Sequence, residues 1–139
     1  MKQLVLPALL LLSFALPSVG AAEPSVPTQD YLSIGQETVS LLNELTDVLS
    51  AVKDKAAADA AVSRVQAISA KMQDLRARAE ALPAPDNAAE AALRTNMNNS
   101  EVRSAIHRFM VAMLDLAQTD AYGSEELINA LSRMVGGQL

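Results

Sequence analysis

Apolar residues in this chain recur in alternating steps of four and three, and the pattern changes phase along the way. The spacing is helical, because 3.6 residues per turn bring positions i, i+3, i+4 and i+7 onto one face. Ile34, Thr38, Leu41, Leu45, Val48 and Val52 form a first stripe, which Leu42 and Leu49 widen from a coiled-coil seam into a globular-bundle face. Continued past Val52, the stripe meets Lys55 and Asp59 and then Val62, Gln66 and Ser69, so that register ends. A second register runs through Ala61, Val65, Ile68, Met72, Leu75, Ala79 and Leu82. The phase change predicts one helix over about 29–53, a turn near 53–58, and a second helix capped by Asp54. One long bent helix is the alternative, since this turn contains neither Gly nor Pro.

Pro83 and Pro85 end the second helix, because proline donates no backbone hydrogen bond and disfavours helix at the residue before it. Asn87 and Glu90 have capping-box spacing for a third helix over about 88–118. Its later stripe is Val102, Ile106, Phe109, Met113 and Leu116, whereas Ala89, Leu93 and Met97 lie one residue out of phase. The polar run 96–100 separates the two parts and predicts a kink or break, recapped by Asn99 or Ser100. Tyr122-Gly123 reads as a turn. Ser124 then caps a short last helix with Leu127, Leu131 and Met134 inward and Gly136-Gly137 at its end.

The composition agrees with this pattern. Outside the first 22 residues the aromatic side chains are Tyr31, Phe109 and Tyr122, and alanine is abundant. Such a mixture favours helix over strand. The expected fold is all-α: an up-down bundle of three main helices plus a short C-terminal helix, occupying residues 29–135 as a single domain, with a tail over 136–139.

Residues 1–22 have the composition of an export signal: Lys2 at the start, an apolar run from Leu4 to Leu16, and the small residues Val19-Gly20-Ala21-Ala22. Residues 23–28, with Pro24 and Pro27, read as an extended leader. Cleavage leaves about 117 residues, the size of one ordinary domain, outside the cytosol and in the bacterial periplasm or beyond. The chain has 16 acidic and 11 basic residues and a net charge of −5. Losing Lys2 makes the remainder more acidic still. That balance argues against nucleic acid and anionic lipid as partners. No later stretch is long and uncharged enough for stable membrane insertion. The chain has no Cys, which excludes a thiolate zinc site, an iron–sulfur cluster and a covalently attached haem.

Few residues suggest chemistry. His107, Met110 and Met113 make a His-x-x-Met-x-x-Met run, a candidate metal site because soft thioethers suit Cu(I). The plainer reading makes Met113 a core residue, Met110 its flank and His107 a surface group. With one His, no Cys and scattered carboxylates, no catalytic residues are nominated and no enzyme is expected. Arg64, Lys71, Arg76, Arg78 and Glu80 mark a charged outer face on the second helix, with Asp74 placed to pair with Arg78. Asn98-Asn99-Ser100 is formally a glycosylation sequon, read as chance in a bacterial chain.

The segment Val48–Pro85, with the leader and the Pro-containing loop, resembles the cytochrome b562 family, which binds haem in a four-helix bundle. That resemblance implies a Met ligand near the start of the first helix and a His near the end of the last. This chain has neither, so no ligand position carries over and no cofactor is expected. Asp54 to Leu82 and Ser124-Glu125-Glu126-Leu127 also loosely resemble small, exported, Ala-rich helical bacterial proteins of unassigned function, which implies no activity. Leu42, Leu49, Met110, Val111 and Leu114 lie beside the seams and represent apolar surface in excess of one small bundle. The expectation is therefore an interaction or structural module that forms a homodimer or binds a protein partner. The alternative is a small-ligand or metal carrier for haem or copper in the periplasm.

Overall fold

A computed structural model describes residues 28–136. The expected export signal over 1–22, residues 23–27 of the expected leader and residues 137–139 of the expected tail lie outside the described residues. Regular structure among the described residues is entirely helical: α1 (Thr28–Ser50), α2 (Lys55–Ala81), α3 (Asn87–Met97), α4 (Ser100–Gln118) and α5 (Glu125–Gly136), with a single turn at Asp120–Gly123 before α5. The helix starts at Thr28, the last residue of the expected leader, and α5 includes Gly136.

The register change after Val52 marks two separate helices. α1 stops at Ser50 rather than Lys53, because the chain must already turn for Asp54 to reach its capping position. The Asp54 carboxylate accepts the Ala57 N–H at 2.7 Å. Val52 remains buried in the turn itself. α1 and α2 then run antiparallel. The Tyr31 hydroxyl donates to the Pro83 carbonyl, Arg78 grips Glu37, and Lys71 lies 3.7 Å from Glu44, so partners on α2 fall in number as those on α1 rise.

The cap of α3 differs from expectation by one residue. Asp86, not Asn87, accepts the Ala89 N–H at 2.7 Å, and its extended backbone (φ −75°, ψ 173°) is the one an N-cap needs. The polar run ends α3 at Met97, and Asn99 caps α4 by accepting the Glu101 N–H at 3.0 Å. The expected third helix is thus two helices.

α1 is the hub. It packs against α2, α3 and α4, while α2 also carries α5. Leu45 is fully buried in the core cluster, which also holds Val48, Leu49, Val65, Ile68 and Phe109. The inner face of α4 is rotated from the expected stripe. Ala105 and Ala112 are buried where Ile106 and Met113 were expected, and those two larger side chains lie at the border. Small residues rather than large ones therefore take part of the buried side of α4. Met97, expected inward, is 38% exposed. α5 buries Leu127, Leu131 and Met134 as its spacing predicts, together with Ala130.

The turn before α5 is left-handed. Asp120, Ala121 and Tyr122 have φ of 50°, 47° and 55°, and Gly123 follows at 77°. Such backbone costs L-residues roughly 1–2 kcal/mol each, and only Gly123 adopts it freely. What holds it is the burial of Ala121 and the Ser124 cap. Ser124 accepts the Leu127 N–H and donates to Asp59 at 2.6 Å, fastening α5 to α2.

Candidate functional site

The three nominated metal-ligating residues fall on α4 but do not converge. His107 and Met110 face solvent, Met110 at 46% exposure, whereas Met113 packs against the core cluster. Steps of three residues turn 60° short of a full circle each time, so His107 and Met113 point about 120° apart. Among the described residues no three His, Asp or Glu side chains lie close enough together to hold a metal ion.

The charged face of α2 is largely paired. Arg78 makes a two-pronged contact with Glu37 at 2.8 and 3.2 Å, Arg76 pairs with Glu80 at 2.8 Å, and Lys71 lies beside Glu44. The expected Asp74–Arg78 pair is not the one formed, because the α1 carboxylate meets the guanidinium edge-on and offers two oxygens. The Arg78 hydrogen bonds hold the Glu37 carboxyl below its ordinary range. The Lys55 hydrogen bond, with that of Ser124, does the same for Asp59. Pairing with Asp59 in turn raises Lys55. Lys55, Asp59 and Ser124 form a chain of contacts, but Ser124 is fully buried and caps α5. The chain is a fastening, and the serine is not presented as a nucleophile.

The remaining feature is an uncovered helix face. α4 buries Val102, Ala105, Phe109, Ala112 and Leu116. On the opposite side Met110, Val111 and Leu114 are 46%, 45% and 49% exposed. With His107 they occupy positions i, i+3, i+4 and i+7, the arrangement by which one helix engages another. The sequence named these three apolar residues as surplus. It named Leu42 and Leu49 as well, but α1 is enclosed by its neighbours: Leu49 is 2% exposed and Leu42 packs on the core. Arg108 borders the open face and reaches Asp47 of α1 at 2.8 Å. Asp115 lies seven residues on, along the same border.

No described helix is long and apolar enough to cross a membrane. No family model, no curated protein and no solved structure matches the chain. The candidate site therefore rests on geometry alone.

Proposed function

We propose that this chain is an exported, non-enzymatic helical module that works by presenting the outer face of α4 to another protein. The observation that carries the reading is the exposure of Met110, Val111 and Leu114 together on one side of a helix whose other side is already packed. Exposed large apolar side chains clustered on a helix are commonly covered by a protein contact. The export part rests on Lys2, the apolar run Leu4–Leu16 and the small residues before Ala22. We read the architecture as an up-down bundle in which α3 and α4 together form the third element and α5 the short fourth. Two contacts favour that reading. Arg108 meets Asp47, and Gly35 lies nearest Asn96 at the same sequence offset, so α4 follows α1 while α2 opposes it.

The test is photo-crosslinking in the producing cell. A photoreactive residue at Val111 should give a discrete protein adduct, and one at the exposed Ala70 of α2 should not. No adduct at 111, or the same adducts at both positions, defeats the interaction reading. The export part is checked separately by sequencing the N-terminus of the isolated protein, which should begin near Ala22 or Glu23. An intact Met1 contradicts it.

A further inference from the structure

We infer that the occupant of the α4 face is a second copy of this chain, lying antiparallel to the first about a twofold axis; this rests on reading that face as a docking surface. The outer side of α4 is a second heptad seam: Ser100, Ser104, His107, Val111, Leu114 and Gln118 follow in steps of 4, 3, 4, 3, 4. Its two borders differ in charge. Arg108 and Asp115 share one border, and Arg103 and Met110 the other, because residues seven apart return to the same side of a helix.

These borders decide the orientation. In a parallel pair each border meets the opposite border of the other helix, which brings Arg103 of one copy against Arg108 of the other. Like charges at such a site disfavour the pairing. A twofold axis perpendicular to antiparallel helices instead keeps each residue on its own side of the contact and reverses its height. Arg108 then faces Asp115 of the second copy, and the reverse contact forms at the same time, as an isologous interface requires.

One register satisfies the charges and the apolar layers together. Val111 lies across from Leu114 of the second copy, twice, at the centre. Met110 covers Ala117 of the second copy on the border that also carries Arg103. His107 and Gln118 of the second copy form polar layers at each end. All of these side chains are exposed in the single chain, so the contact needs no opening of the fold. Arg108 is still half exposed beside Asp47 and keeps that contact in the pair. The last turn of α4 has no basic residue of its own, and its carbonyl end comes to lie toward the Arg103 side of the other copy, where a cation is favourable. A contact three turns long is smaller than the ~1,200 Å² of standard interfaces, so association is weak and dependent on concentration.

The experiment is sedimentation equilibrium of the protein as its host produces it, from micromolar to millimolar concentration, beside Leu114→Asp. The chain should pass from monomer to dimer. Leu114→Asp, an exposed change that leaves the helical dichroism intact, should self-associate about tenfold more weakly or less. Because the chain has no Cys, single spin labels on Ser100→Cys and Gln118→Cys report orientation directly. The antiparallel register separates the two Ser100 positions by about 37 Å along the axis and the two Gln118 positions by about 16 Å. A parallel pair leaves both near the roughly 10 Å interaxial spacing. A monomer throughout, an unaffected Leu114→Asp, or both labels at the short distance overturns the proposal. In the crosslinking at Val111, an adduct of twice the chain mass supports the second copy. An adduct with a different protein overturns the second copy and leaves the interaction reading standing.

Discussion

α1 and α4 both carry apolar residues beside their seams, yet those of α1 pack on the core and those of α4 do not. α1 touches α2, α3 and α4, so Leu42 and Leu49 beside its seam are drawn into the core. α4 touches α1 and its own chain neighbours, so Met110, Val111 and Leu114 remain outside. Whether a flank is buried depends on the number of neighbours a helix has, which is a property of the bundle and not of the helix. The surplus that suggested an interaction surface is therefore only half real, and the half that persists lies on one helix.

The sharpest test of that contrast replaces one leucine in each place. Leu45 is fully buried at the meeting point of α1, α2 and α4. Leu45→Ala should cost about 2–5 kcal/mol, the transfer energy of the side chain plus the cavity it leaves. For a domain with roughly 5–15 kcal/mol in total, that is a large share. Leu114→Ala, at 49% exposure, should change the stability of dilute protein by no more than about 0.5 kcal/mol. Urea unfolding at micromolar concentration measures both. Equal losses would mean that α4 has a covering neighbour after all and that its outer face is not open.

The sequence shows the helices more clearly than their faces. Heptad spacing located α1, α2 and α5, and the change of phase between Val52 and Ala61 separated the first two without any Gly or Pro to mark the turn. The capping roles of Asp54 and Ser124 were readable because a short polar side chain stood just before each apolar register. The inner face of α4 is less legible, because periodicity ranks Ile106 and Met113 above Ala105 and Ala112 by hydrophobicity, whereas the two alanines are the ones buried. Tyr122-Gly123 marks the turn in the sequence, but the positive φ of Asp120–Tyr122 has no marker there, since none of those residues requires it. Of the candidate site, Met110, Val111 and Leu114 were visible as surplus, and the orientation signal in Arg103, Arg108 and Asp115 was present but meaningless until the outward side of α4 was known.

The two regions also differ in what their glycines do, which gives a smaller pair of effects. Gly35 is in the body of α1, and a methyl group there would meet only Asn96 Nδ2, at 3.9 Å, an ordinary contact. Gly35→Ala should stabilise the protein by about 0.5–1 kcal/mol through helix propensity and a less flexible unfolded chain. Gly123 follows α4 at φ 77° with nothing within 4 Å of its missing Cβ, so space is not the issue and backbone strain is. Gly123→Ala should cost about 1 kcal/mol. Thermal melts read both signs. A stabilising Gly123→Ala would mean that the left-handed turn is not held in solution.

The smallest expected effect concerns pH, and it separates the α1–α2 contact from the fastening of α5. Glu37, held by Arg78, and Asp59, held by Lys55 and Ser124, both have carboxyls lowered from their ordinary values. A carboxyl lowered in the folded state contributes stability that is fully present above its unfolded pKa, about 4, and is lost as pH falls through the folded value. Lys55, raised by Asp59, contributes in the opposite sense: its share is present below its unfolded pKa and is lost only in strongly alkaline solution. Stability should therefore be flat from pH 5 to 8 with respect to these groups and should decline below about pH 4. The pairs are solvent-exposed and screened by salt, so the slope should be shallow and shallower still in high salt. Glu37→Gln and Asp59→Asn should each flatten part of the acid decline. Asp59→Asn should additionally loosen α5, which amide hydrogen exchange along Leu127–Met134 would register and Glu37→Gln would not. Equal exchange in the two variants would show that the burial of Leu127 and Leu131 alone keeps α5 in place.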